Sequence, residues 1–108
     1  MAKQITLTYN DKEYTLEFTR KTIESMERSG FIVSELGDKP VSTLPKMFAG
    51  AFKAHHPFVQ TAVVNEIFDS IEDKEGLINK LSEMYSEPVE ALMQSGTGKN
   101  VIHWTPNF

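Results

Sequence analysis

Apolar and polar residues alternate through the first part of the chain, and the alternation has a period of two. Such a pattern is typical of a β-strand that buries one face. A short link at residues 10–13 contains Asn and Asp, which tolerate left-handed backbone geometry, and it separates two runs of this kind. The pattern predicts a β-hairpin over residues 3–19. We expect other elements to cover its apolar face, because an isolated hairpin is only marginally stable in water. Its apolar positions are Ile5, Leu7, Tyr9, Tyr14, Leu16 and Phe18.

The first predicted helix has clear signals at both ends. Thr19 is suited to the N-cap position, and Phe18 and Ile23 occupy the two positions of a hydrophobic staple. The helix is expected to run to about Ser29. Gly30 follows it and suits the left-handed residue of a Schellman motif.

A second helix is predicted after an ordered loop at residues 31–41, which is expected to hold one helical turn around residues 34–36. Ser42 or Thr43 is the expected N-cap, and Pro57 is expected to stop the helix. Apolar positions then recur at steps of three and four, which indicates one buried face. These positions are Leu44, Met47, Phe48, Ala51, Phe52 and His55.

Two more helical segments follow. The third helix is expected from about Val59, and the fourth has Asp73 at its N-cap. Pro88 is expected to kink or restart the fourth helix with Ser86 as a new N-cap, because proline lacks the N–H of the helical ladder. Gly96 is expected to end it.

These elements predict an α+β fold in which the N-terminal hairpin packs on a bundle of four to five short helices. Residues 1–95 are expected to form one domain. For residues 96–108 two alternatives remain: a flexible tail, or an added third strand. The pattern favours a strand at residues 100–105 that pairs with the hairpin, within one chain or between copies.

Composition narrows the possible functions. The chain has 108 residues, no cysteine and a net charge of −4, so disulfides and thiolate metal sites are excluded. Residues 57–108 carry three basic and eight acidic side chains, a balance of −5. This charge argues against nucleic acid as a partner. No apolar run approaches about 18 residues, so no membrane span is expected.

The adjacent histidines His55 and His56 are the most conspicuous candidates for chemistry. Adjacent residues on a helix diverge by about 100°, whereas a shared metal is usually held by residues four apart. The spacing therefore favours a packing role at a helix end, with His55 on the buried face. We expect no metal, no cofactor and no catalytic activity. The alternative from the enzyme class is a small metal-dependent enzyme that uses His55, His56 and His103.

Three stretches in a fixed order carry a family resemblance: "KEYTLEFTRKTIESMERSGF", "SELGDKPVSTLPKMFAGAFKAHHP" and "NKLSEMYSEPVEALM". Together they resemble the short tail assembly chaperones of long-tailed phages and prophages of Gram-positive bacteria, over about residues 5–95. The resemblance implies a non-enzymatic protein that binds the tape measure protein and helps recruit tail tube subunits. It also implies action in the host bacterial cytoplasm and absence from the mature virion.

Partner contacts are expected from adaptable or exposed apolar side chains, and we expect self-association as well. Methionines at helical spacing fit a tolerant binding groove or, alternatively, the core. The large apolar residues of the tail lie beyond a glycine-containing linker and are expected to find a surface. The predicted partner-binding residues are Met84, Met93, Ile102, Trp104 and Phe108. The nearest alternative function is another small phage morphogenesis protein, such as a head–tail adaptor.

Overall fold

The fold is α+β: a two-stranded antiparallel hairpin is followed by four α-helices, as the sequence predicted. The computed structural model describes residues 3–94 and 101–108. The elements are β1 (Ile5–Tyr9), β2 (Lys12–Leu16), α1 (Arg20–Arg28), a 3₁₀ turn (Val33–Leu36), α2 (Pro40–Ala51), α3 (Thr61–Ser70) and α4 (Lys74–Met93). No helix in the described ranges is both long and apolar enough to span a bilayer.

The hairpin has the register that the alternation predicts. Ile5 pairs with Leu16, and Tyr9 pairs with Lys12 across a two-residue turn. Asn10 and Asp11 have φ angles of 50° and 62°, the left-handed values that a type I′ turn requires at both central positions. One face of the hairpin is therefore apolar except for Lys12 beside the turn, and its apolar residues pack on the helices.

The structure confirms the capping residues that were predicted at both ends of α1. The Thr22 N–H donates to Thr19 Oγ1 at 3.1 Å, and the Thr19 N–H donates to Thr22 Oγ1 at 2.9 Å. At the other end the Phe31 N–H donates to the Met26 carbonyl at 3.0 Å, as in a Schellman motif. Gly30, with φ 98°, makes the left-handed turn that this motif needs.

Helix α2 begins earlier and ends earlier than predicted. Pro40 occupies its first turn and Lys39 is the N-cap, so the prediction of a Ser42 or Thr43 cap is wrong. A proline at this position has its fixed φ preset for the helix, and its missing N–H costs nothing there. The helix ends at Ala51 because the Ala51 carbonyl accepts a hydrogen bond from the Glu17 N–H at 2.9 Å. A contact between distant parts of the chain thus uses the carbonyl that would have accepted the next hydrogen bond of the helix.

Helix α4 begins as predicted but is one continuous helix. Asp73 caps it, with Oδ1 accepting from the Gly76 N–H at 3.0 Å. A single helix then passes through Pro88 to Met93, so the predicted restart with Ser86 as N-cap is wrong. Ser86 Oγ instead donates to the Glu83 carbonyl at 3.0 Å. Proline removes one ladder hydrogen bond, but its φ fits a helix and the turn that follows is helical.

The core lies between the hairpin and the four helices. Phe48 has its ring centroid 5.1 Å from Phe52 and 5.3 Å from Phe68. Gly50 lets α1 approach α2 closely, because a Cβ at this position would lie 2.5 Å from Met26 Sδ. The buried apolar residues are Tyr14, Leu16, Phe18, Ile23, Met26, Phe31, Met47, Phe48, Ala51, Phe52, Val64, Ile67, Leu81, Met84 and Tyr85.

Residues 101–108 form neither helix nor strand, and their side chains are exposed. Within the described part of the chain, the predicted third strand is therefore not formed, and the sheet has two strands. Residue 100 and the predicted helix end at Gly96 lie outside the described residues. Strand pairing between copies stays a prediction, as does the division into a domain at 1–95 and a tail.

Candidate partner-binding surfaces

The half-buried histidine is His56, which joins the segment after α2 to the hairpin. Its Nε2 accepts a hydrogen bond from the Thr15 N–H at 3.0 Å, so this nitrogen carries no proton. The ring packs edge-on against Tyr14, with centroids 5.0 Å apart. Burial lowers the pKa of His56, and the nearby charges of Lys12 and His55 lower it further.

His55 is exposed, so the prediction that it lies on the buried face of α2 is wrong. The helical spacing that placed it there stops at Ala51, where α2 ends. His55 Nε2 lies 2.7 Å from Glu17 Oε1, and Gln4 Nε2 donates to the same oxygen at 3.0 Å. The hydrogen bond from His55 lowers the pKa of Glu17, although partial burial opposes this shift.

These contacts give the histidine pair a structural role. His56 binds Thr15 of β2, His55 binds Glu17 just after β2, and the two ring centroids are 6.5 Å apart. Among residues 3–94 and 101–108, no three His, Asp or Glu side chains are grouped so as to hold a metal ion. The arrangement anchors the end of α2 on β2 and on the residue that follows it.

We expect a decrease in pH to weaken the attachment of the end of α2 to the hairpin. Because the pKa of His56 is lower in the folded chain than its usual 6.5, the unfolded chain binds more protons there, and stability falls as the pH decreases through this range. The lowered pKa of Glu17 acts in the same direction below its usual 4.5. We expect the free energy of unfolding, from urea titrations, to decrease between about pH 7.5 and pH 5.5.

A His56→Gln variant is the matched control, because its amide oxygen can accept the Thr15 N–H but does not titrate. Its free energy of unfolding should change less over the same pH range than that of the unchanged chain. Equal slopes for the two proteins would show that His56 does not couple folding to protons.

Of the five predicted partner-binding residues, one lies in the core and four lie on the surface. Met84 is 2% exposed and packs in the core, so it is not part of a partner surface. Met93 is 81% exposed at the end of α4. Ile102 and Trp104 are 86% and 81% exposed, and Phe108 is fully exposed. The four exposed residues thus belong to two segments, the end of α4 and residues 101–108.

A second candidate surface is a groove between α1 and α2 with a volume of about 700 Å³. Its floor is apolar, and small side chains from both helices keep it open. Ala49 and Gly50 stand on the α2 side, and Thr22 and Ser25 stand on the α1 side. The lining residues are Thr19, Lys21, Thr22, Ser25, Met26, Ser29, Phe31, Lys46, Ala49, Gly50, Lys53 and Ala54.

Among the described residues that line this groove, the charged ones are all lysines: Lys21, Lys46 and Lys53. Within the described ranges, none of them has a carboxylate within 4.0 Å. A basic groove is unexpected in a chain with a net charge of −4. The sequence reasoning missed it, although the positions 46, 49, 50 and 53 already share one helical face.

Over its full length, residues 1–108, the chain matches the family described as a domain of unknown function, DUF5055, and it belongs to that family. No curated protein and no solved structure matches the chain.

Proposed function

We propose that this DUF5055 chain is a phage tail assembly chaperone that binds the tape measure protein and helps recruit tail tube subunits during tail morphogenesis. It acts by binding and not by catalysis. It works in the host bacterial cytoplasm and leaves before the virion is complete. The resemblance of residues 5–95 to such chaperones is the basis of this proposal, because the ordered hairpin, helix and "EMYSEP" segments occur together.

The structural observation that supports the proposal is the set of large apolar side chains on the C-terminal part of the chain. Met93, Ile102 and Trp104 are each more than four-fifths exposed. Burying apolar surface is favourable by about 25 cal/mol per Å², so such side chains favour contact with another apolar surface. The apolar helices of a tape measure protein offer one, and methionine adapts readily to different helices.

Co-expression with the tape measure protein of the same phage or prophage tests the proposal. We expect the tape measure protein to be soluble and to co-purify with the chain, and to aggregate when expressed alone. The double variant Ile102→Ser/Phe108→Ser should lose most of this effect. Phe58→Ser is the matched control, because Phe58 is 94% exposed but lies between α2 and α3.

A tape measure protein that stays insoluble with the chaperone would contradict the proposal. Mass spectrometry of purified virions provides a second check. A chaperone should be missing from the particles, whereas a head–tail adaptor would remain in them.

Trp104 is the only tryptophan in the chain and reports on the tail directly. Because it is 81% exposed, we expect the isolated chain to emit close to the wavelength of free tryptophan. Binding of the tape measure protein should shift the emission to shorter wavelength, since the indole then leaves water. Unchanged emission in the complex would mean that residues 101–108 do not contact the client.

A further inference from the structure

We propose that the groove between α1 and α2 binds a partner α-helix whose apolar stripe is flanked by acidic side chains. The inference deepens the proposed function, and it rests on that function only for the identity of the partner as the tape measure protein. The groove itself is defined by described residues of this chain.

The shape of the groove suits a helix. Two helices form its walls, and Met26, Phe31 and Ala49 give it an apolar floor. Because Ala49 and Ser25 have small side chains, a ligand helix can approach both walls closely at these positions, whereas Gly50 is already covered by Met26. Helix-in-groove recognition uses apolar anchors at steps of three, four and seven residues.

The charge of the groove selects among apolar helices. Lys46 of α2 and Lys53, which lies just beyond the end of α2, are on one side of the groove, and Lys21 of α1 is on the other side. The described side chains that line the groove include no acidic residue. A ligand helix with Glu or Asp on both sides of its apolar stripe would neutralise these charges, and a ligand with lysines there would be repelled.

A second copy of this chain is a weaker candidate for the occupant. The C-terminal end of α4 carries Glu87 and Glu90 and would have a suitable charge. However, Val89 and Leu92 already face Ile23 of α1 in the same chain, across a smaller cleft. The apolar stripe that would enter the groove is therefore only partly exposed, with Val89 at 44% and Leu92 at 54%.

Labelled synthetic peptides added to the full chain test the inference. The first is a helical peptide of about 20 residues with an Ala/Leu stripe flanked by glutamates, and the second is the same peptide with lysines in place of the glutamates. We expect fluorescence anisotropy to show binding of the glutamate peptide only. Binding should weaken as the salt concentration rises from about 50 mM to about 300 mM, because the lysines are exposed.

Three variants locate the site. The double variant Lys46→Glu/Lys53→Glu should bind the glutamate peptide at least about tenfold more weakly and should gain affinity for the lysine peptide. Ser25→Phe should weaken binding of the glutamate peptide without changing the charge, because it fills the groove from an exposed position. Lys80→Glu is the control, since Lys80 is exposed on α4 outside the groove, and it should leave the affinity unchanged. Circular dichroism confirms that each variant is folded.

Equal affinity of the glutamate peptide for the unchanged chain and for the Lys46→Glu/Lys53→Glu variant would overturn the inference. So would a failure of the peptide to bind. If sedimentation shows that the unchanged chain is dimeric and this variant is monomeric, the occupant is a second copy and the inference also falls.

The groove and the proposed function can fail separately. Suppose that the Lys46→Glu/Lys53→Glu variant does not bind the glutamate peptide but still solubilises the tape measure protein. The proposed chaperone function would then hold, but the groove would not be the site that binds the tape measure protein. If the chain binds the glutamate peptide but does not solubilise the tape measure protein, the groove is a helix-binding site and the tape measure protein is not its partner.

Discussion

Replacing Phe48 with alanine is expected to lower the free energy of unfolding by about 3–5 kcal/mol, the usual loss for a fully buried phenylalanine. Phe48 has no exposed surface, and its ring packs against Phe52 and against Phe68 of α3. The substitution removes these contacts and leaves a cavity between two helices. Urea titrations at neutral pH measure the change.

Val41→Ala is the control for this experiment, because Val41 lies on the same helix but is 88% exposed. We expect it to change the free energy of unfolding by less than about 0.5 kcal/mol. A similar loss in both variants would mean that α2 does not present Phe48 to the core.

Leu16→Ala is expected to cost about 2–5 kcal/mol. Leu16 lies at the end of β2, is completely buried and pairs with Ile5. With Tyr14 it is one of the two buried side chains that join β2 to the helical core, so the loss measures how strongly the hairpin is held on the helices. Denaturant titrations again provide the value.

The same substitution at Leu7 supplies the comparison, because Leu7 is on the same face of the hairpin but is only partly buried. It should cost less than Leu16→Ala. A loss below about 1 kcal/mol at Leu16 would indicate that the register of the hairpin is wrong.

Local signals in the sequence predicted those parts of the fold that depend on a few neighbouring residues. The hairpin turn needs left-handed residues at Asn10 and Asp11, and α1 needs a cap at Thr19 and a glycine at Gly30. Asp73 likewise caps α4 through a neighbour three residues away. Each of these features is contained in a short stretch of chain, so the residue types alone indicate it.

The misplaced end of α2 and the missed groove depend on contacts between distant residues, whereas the wrong N-caps at the start of α2 and at Ser86 depend on nearby prolines. Helix α2 ends at Ala51 because its carbonyl accepts from Glu17, which is 34 positions earlier in the sequence. This early end is also the reason why His56, and not His55, packs against the hairpin. The candidate groove was missed for a similar reason, since Lys21 meets Lys46 and Lys53 only after α1 and α2 have packed together.

The hydrogen bonds that hold the end of α2 against the hairpin also bear on aggregation. An exposed strand edge invites pairing with other chains. Here the outer edge of β2 is partly occupied, because the Thr15 N–H donates to His56 and the Glu17 N–H, just after β2, donates to Ala51. Among the described residues, the outer edge of β1 has no such contact and is the more open of the two. Two copies that pair through β1 would form a four-stranded sheet whose outer edges are both partly blocked, so further edge-to-edge growth into a fibril would be hindered.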